Sequence, residues 1–273
     1  MEFESKKGCS LIISTYNWPQ ALQKSIQSVA WQSSLPGEVI IADDGSNNDT
    51  AEMILAIKKD FPVPLIHLWQ ENIGRRKTRI NNIAIARASY EYLVFIDHDI
   101  VLHPDFIKDH LWLSEKGFFL NGSRFLSDET STKAFINKTD IIPSDLKTLT
   151  GKNSLNKIRA PLLMNFMAHR YRTRDEDTPE VRGCNMSFWR SDLLAVNGYD
   201  EAYMEWGRED SNIAIRLFNT GIRKKSIKFG GIAYHLHHPE GNKSDDPMNM
   251  QMLQASMAKK EKWAPVGLDQ YLK

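Results

Sequence analysis

Asp97 and Asp99 stand one residue apart at the end of the apolar run Tyr92-Leu-Val-Phe-Ile. Two carboxylates that a buried strand delivers to a sheet edge are hard oxygen ligands at the place where open α/β sheets bind their ligands. The chemistry they suit is a divalent cation together with a phosphate. Taken alone, Asp-x-Asp is also an ordinary solvated turn, as is Asp43-Asp44-Gly45-Ser46. Downstream, Trp206-Gly207-Arg208-Glu209-Asp210 opens a helical pattern with two carboxylates. The helix macrodipole alone would favour acids there, but an aromatic face beside a Gly turn is a surface on which a sugar ring stacks. His235, His237 and His238 close a strand-like stretch before Pro239. They are either imidazole ligands or a polar strand end.

The elements that must position these groups are legible from periodicity. Cys9-Ser-Leu-Ile-Ile-Ser14 reads as a strand, stopped by Thr15-Tyr16-Asn17-Trp18-Pro19. Leu22, Ile26, Val29 and Ala30 then recur at helical spacing, with Pro19 in the first turn, where its missing N–H costs nothing. Glu38-Val-Ile-Ile-Ala42 starts a second unit, with a helix over 51–60 that Asp49 or Thr50 can cap. Pro64-Leu-Ile-His-Leu-Trp69 starts a third, leading through Asn72, Gly74 and Arg75-Arg76-Lys77 into a helix carrying Ile80, Ile83, Ala84 and Ala88. The strand ending at Asp97 is the fourth. This alternation argues for βαβ units and a mostly parallel sheet. In such a sheet every strand-to-helix loop leaves by the same edge, so four polar loops line one crevice. That company lifts Asp97-His98-Asp99 above a solvated turn.

Beyond it the pattern predicts a helix over 104–115 and a strand over 118–123. Residues 124–182 are irregular, with a short helix over 162–169 and a charged run from Arg170, and read as a long connection ordered by ligand. Regularity returns with a strand over 182–189, a short helix over 191–196, and a helix after Asp210 whose face carries Ile213, Leu217 and Phe218 until Gly221. A methionine-rich amphipathic helix over 248–263 reads as packing.

The 273 residues hold 35 basic and 34 acidic side chains, so no net field points to nucleic acid as a partner. Cys9 and Cys184 lie far apart in apolar or Gly-flanked segments and read as buried thiols of a reducing compartment. Met1-Glu-Phe-Glu-Ser-Lys-Lys lacks the pattern of a signal peptide, and no apolar stretch is long enough to span a bilayer. The expected location is cytoplasmic, with peripheral contact at the inner membrane face left open, as is the oligomeric state.

Four motifs in order, Ser14-Thr-Tyr-Asn17, Asp43-Asp44-Gly45-Ser46, Asp97-His98-Asp99 and Trp206-Gly-Arg-Glu209-Asp210, resemble the inverting glycosyltransferases of family 2. Residues 183–238 are similar to the galactosyltransferase-like segment shared with chondroitin polymerases and polypeptide N-acetylgalactosaminyltransferases. The resemblance implies an α/β GT-A fold, a single catalytic domain with a Rossmann-like, mostly parallel sheet flanked by helices. It divides the chain into a nucleotide-sugar half (1–123), a connection or lid (124–182) and an acceptor half with the C-terminal helix (183–273). It implies transfer of a sugar from a UDP-sugar to a hydroxyl of a glycan or lipid-linked glycan, in surface polysaccharide synthesis.

The roles it implies follow residue by residue. Asp99 is a metal ligand and His235 completes the site, with His237 and His238 as rivals; manganese suits mixed oxygen and nitrogen ligands, magnesium being the alternative. Asp97 faces the ribose. Asp44 hydrogen-bonds the uracil, framed by Thr15, Tyr16, Asn17 and Asn72. Arg79 is the expected diphosphate contact, although Asn81-Asn82 replaces the family's Arg-Asn pair and leaves Arg75, Arg76 and Lys77 as competitors. Asp210 is the expected base, with Glu209, Trp206 and Asn185 binding the acceptor. Two other classes compete. Asp97-His-Asp99-Ile-Val101 fits the Asp-x-Asp-x-Val motif of a haloacid-dehalogenase-type phosphatase, although three strand-helix units precede it, and a catalytically silent nucleotide-sugar-binding module would carry similar loops.

Overall fold

The computed structural model describes residues 8–170, 172–173, 181–204, 207–239 and 246–272. Its strands and helices run in the order β1 (Ser10–Thr15), α1 (Pro19–Ala30), β2 (Glu38–Asp43), α2 (Asn48–Lys58), β3 (Leu65–Trp69), α3 (Lys77–Arg87), β4 (Tyr92–Asp97), β5 (Ile100–Leu102) and α4 (Phe106–Leu113). There follow β6 (Phe118–Gly122), β7 (Phe125–Ser127), α5 (Glu129–Ile136), β8 (Gly151–Lys152), α6 (Pro161–Arg170) and β9 (Arg172–Thr173). Last come β10 (Met186–Trp189), α7 (Arg190–Ala195), α8 (Glu209–Asn219), β11 (Arg223–Ile227), β12 (Ala233–His235) and α9 (Asp246–Ala258).

The main sheet has the strand order β3-β2-β1-β4-β10-β6-β11-β9, and β5-β12-β7-β8 form a second sheet. β1, β2, β3 and β4 are parallel, and β10 runs antiparallel between β4 and β6. β1 and β2 are buried along their whole length because both faces are covered, which is why they read as apolar runs rather than as alternation. Successive side chains nevertheless divide between two cores. Leu11, Ile13, Val39, Ile41, Val94 and Ile96 pack with Leu22, Ile26 and Ile54 on the α1/α2 side. Ile12, Ile40, Leu93 and Phe95 pack with Ile80, Ala84, Ile213 and Leu217 on the α3/α8 side.

Pro19 occupies the first position of α1 as expected. The N-cap of α2 is Asn47 rather than Asp49 or Thr50. Cys9 and Cys184 are free and buried. Because β10 from the second half lies between β4 and β6 of the first, the two halves share one sheet instead of forming separate layers. Residues 124–182 hold far more regular structure than expected: β7, α5, β8, α6 and β9 lie there, together with 3-10 turns at Pro143–Thr148 and Ser154–Lys157. They build the second sheet and a third core of Phe125, Phe135, Leu146, Leu149 and Tyr234. α9 ends earlier than the methionine pattern suggested, but Leu253, Met250 and Met257 pack it against the α3/α8 core as expected. No helix among the described residues is long and apolar enough to cross a membrane.

Candidate functional site

The parallel register places Thr15 beside Asp43 and Ser14 beside Asp97, so the loops after β1, β2 and β4 leave the sheet together. The two aspartates after β2 divide the work. Asp43 is fully buried; its Oδ1 accepts from the Ser46 amide at 2.8 Å and its Oδ2 pairs with His67 Nε2 at 2.8 Å, which fixes the turn. Asp44 accepts from Gln70 Nε2 at 2.5 Å and from the Arg76 amide at 2.9 Å. Burial raises its carboxyl above the usual range, against the donors Gln70 and Arg76. Asn17 sits at φ 46°, donates its amide to Ser46 Oγ and accepts from the Asn47 amide, tying the first loop to the second. Tyr16 is exposed and its hydroxyl accepts from Asn72 Nδ2 at 3.1 Å. Gly45, at φ 90°, lets the Asn72 loop come this close, since a Cβ there would lie 2.7 Å from the Asn72 backbone. Thr15, Tyr16, Asn17, Asp44 and Asn72 are therefore brought together, and the Thr15 hydroxyl is buried without a partner.

Next along the crevice, Asp97 Oδ1 accepts from Lys77 Nζ at 2.6 Å. Burial works against the charge on Lys77, but Asp97 above all, with Asp210 and Glu209, holds its ammonium well above the ordinary value. Lys77 thus stands between the end of β4 and the start of α8, on which Arg75 also closes, 3.6 Å from Glu209 Oε1. Asp210 Oδ2 accepts from the Gly183 amide at 3.0 Å. A Cβ on Gly183 would fall 2.1 Å from that oxygen, so only glycine lets the backbone donor reach the carboxylate. Burial, then the neighbouring charges of Glu209 and Asp97, push the Asp210 carboxyl up to about 7 against the pull of Lys77 and Arg75.

At the other side of β4, Asp99 Oδ2 lies 2.9 Å from His238 Nε2 and 3.2 Å from His235 Nε2. One ligand atom from each of the three residues falls within 4.8 Å of the others. Burial disfavours the Asp99 charge, but the His238 hydrogen bond and the nearby imidazoles hold its carboxyl well below the usual range. His238, bonded to Asp99, is pushed up to about 9, whereas burial lowers His235. Asp99 Oδ1 is buried without a partner. A carboxylate with an orphaned oxygen beside two imidazoles fits a divalent cation with oxygen and nitrogen preference. Asp99, His235 and His238 would hold it. Trp18 packs edge-on against both His98 and His238, with centroids 5.9 Å away in each case.

Two expected residues stand elsewhere. Asn185 is fully buried; its Nδ2 donates to the Ser123 and Gly231 carbonyls and its Oδ1 pairs with His110 Nε2, so the amide is spent inside the fold rather than offered to an acceptor. Arg79 donates to Gln70 Oε1 at 2.7 Å and lies over the Tyr271 ring, so it meets the Asp44 pocket only through Gln70. Trp206 lies outside the described residues. Of the rival histidines, His238 joins His235 at Asp99, while His237 donates its amide to Thr132. Gln70 was not singled out by sequence, and Lys77 was named only as a competitor for the diphosphate, not as the partner of Asp97. The position of Lys77 at the head of α3, facing the end of β4, was the signal available among four neighbouring cations.

The family model for glycosyl transferase family 2 matches residues 10–194, and that for the N-terminal domain of galactosyltransferase matches residues 166–239. The chain belongs to glycosyl transferase family 2. This displaces the phosphatase reading of Asp97 and Asp99. Chondroitin synthase of Escherichia coli is 23% identical over 243 residues, which are 85% of this chain and 35% of that protein. Chondroitin synthase of Pasteurella multocida is 26% identical over the same length, covering 25% of that protein. The chain thus spans about a quarter to a third of these relatives. The structure of S. aureus TarS residues 1–349 in complex with UDP superposes with TM-score 0.62 at 17% identity, covering 97% of this chain and 68% of that one. The mannosyltransferase PcManGT from Pyrobaculum calidifontis, in complex with GDP-Man and Mn2+, gives 0.59 at 15% identity, covering 93% and 62%. These superpositions show that the fold of this chain is GT-A.

Proposed function

We propose that the chain is a metal-dependent inverting transferase. It moves a sugar of galactose, glucose or N-acetylhexosamine type from a UDP-sugar to a hydroxyl of a free or lipid-linked glycan during polysaccharide synthesis. The observation that carries this reading is the pairing, across one crevice, of an oxygen-nitrogen ligand set at Asp99 with a half-buried carboxylate of raised pKa at Asp210. UDP in the TarS complex and Mn2+ in the PcManGT complex support the choice of donor and metal. A manganese ion, with magnesium as the alternative, would supply positive charge against the departing diphosphate.

The chain's own residues do the rest. Tyr16, Asn17, Asp44 and Asn72 hold the base, and Asp97, fixed by Lys77, faces the ribose. Glu209 binds the acceptor. Asp210 takes the acceptor's hydroxyl proton as that oxygen bonds to the anomeric carbon, and the electron pair of the breaking bond leaves with UDP. Gly183 keeps the carboxylate in one direction. A screen of UDP release from a panel of UDP-sugars, with manganese and a mixture of acceptors, tests this. Release should appear with at least one donor, rise with acceptor and vanish with chelator. No release above background from any donor would reject the proposal, and phosphate release from simple phosphomonoesters would restore the phosphatase.

A further inference from the structure

The carboxylate of Asp44 is held by a chain of donors whose polarity is fixed from outside the pocket. Arg79 Nη1 donates to Gln70 Oε1 at 2.7 Å. A guanidinium has donors only, so the oxygen end of the Gln70 amide must face it. The amide nitrogen then faces two groups that only accept: Asp44 Oδ1 at 2.5 Å and the Arg76 carbonyl at 3.1 Å. Both amide hydrogens are spent, and no flip of Gln70 satisfies the same partners. Arg79 is itself held, with its guanidinium 5.7 Å from the centre of the Tyr271 ring, while the Tyr271 hydroxyl donates to Glu201 at 3.1 Å. Gln70 is buried, and its own amide donates to the Asp43 carbonyl at 3.2 Å, so its backbone is pinned to β2.

The consequence is chemical. Gln70 and the Arg76 amide both donate to Asp44 and so favour its ionised form, which has only lone pairs to present. A base edge that meets it must bring an N–H. Uracil does so at its imide nitrogen, whereas cytosine brings an unprotonated ring nitrogen that also accepts and would leave two acceptors facing each other. Resting on the reading that Asp44 meets the nucleotide base, we infer that Gln70, oriented by Arg79, is a positioning residue that sets the choice of uridine over cytidine donors. Arg79 thereby influences the nucleotide without touching it.

The test is calorimetric binding of UDP and CDP to the intact chain with manganese. The wild type prefers UDP by about 10- to 100-fold, the range expected when a buried acceptor is left unpaired. Gln70→Glu replaces the two donor hydrogens with a second carboxylate, whose like charge favours a protonated Asp44 that can donate to the cytosine ring nitrogen. The preference should fall at least about tenfold, chiefly by loss of UDP affinity. Arg79→Ala, at a half-exposed position that tolerates truncation, should lower the preference less, and Arg79→Lys should restore part of it. A merely structural role would weaken both nucleotides by the same factor, and an unchanged UDP-to-CDP ratio in both Gln70→Glu and Arg79→Ala overturns the inference. Asp44→Asn separates the two claims, because an amide can donate to cytosine. If it shifts the ratio toward CDP while the Gln70 and Arg79 variants do not, the relay is wrong and the base contact stands. If Asp44→Asn leaves the ratio unchanged, or the wild type binds neither nucleotide, the base contact itself is wrong.

Discussion

At the Asp99 end of the crevice one carboxylate faces two imidazoles, whereas at the Asp210 end three carboxylates, Asp97, Glu209 and Asp210, gather around Lys77 and Arg75. Asp99 is buried and Asp210 half-buried, yet their acidities move in opposite directions. Asp99 is held ionised by its basic partners, and Asp210 is pushed up to about 7 by burial and acidic neighbours. Desolvation acts alike on the two; the sign of the neighbouring charge decides the outcome. A group that must keep its negative charge belongs at the first end, and a group that must accept and release a proton near neutrality belongs at the second.

The sharpest way to break this division is Asp210→Asn. Transfer should fall by about 10²- to 10⁴-fold, the contribution of a positioned base, while UDP affinity stays within about twofold of wild type by calorimetry, since the change is isosteric and Asp210 is outside the set of Asp99, His235 and His238. Transfer within tenfold of wild type would take the proton-accepting role away from this end.

At the opposite end, Asp99→Ala, His235→Ala and His238→Ala should each weaken manganese-dependent UDP binding by at least about tenfold, with His237→Ala unchanged as the control. Loss at His235 alone would shrink the ligand set to two residues.

Gly183→Ala probes the base without changing its chemistry. The added Cβ would fall 2.1 Å from Asp210 Oδ2, displacing the carboxylate, and misplacement of about 1 Å costs on the order of 10²-fold in kcat. Donor KM should hold. The smallest effect is on the pH profile. A base works when deprotonated, so kcat/KM should rise with pH through about 7 and level off above it. Lys77→Gln removes a cation that lowers the Asp210 pKa and should move this acidic limb upward; Glu209→Gln removes an anion that raises it and should move the limb downward. A limb that stays in place in both variants would mean that the charges around Asp210 do not set its acidity.

Legibility follows the same division. Asp97, Asp99 and Asp210 could be found in the chain because each marks an end of a regular element, the close of β4 or the first turn of α8, and their spacing from apolar runs is a local property. Residues 124–182 could not be folded by eye because β8 and β9 span two residues each, too short for a period. α6 is also apolar on both sides, with Met164 buried and Leu162 and Phe166 exposed. Asn185 misled for a related reason. It follows Gly183 in the segment that delivers the Asp210 donor, but three partners inside the fold take its amide.

The alternation of strands and helices through β4 and the shared edge of its parallel strands were thus determined by the sequence alone, because apolar periodicity and turn chemistry act over a few neighbouring residues. Tertiary structure decided which imidazole joins His235 at Asp99, that Lys77 meets Asp97, and that burial and acidic neighbours raise the Asp210 carboxyl. Each of these depends on charges and donors brought within a few ångströms from elements tens to more than a hundred residues apart. Coulomb and hydrogen-bond energies depend on that distance through space, not on separation along the chain.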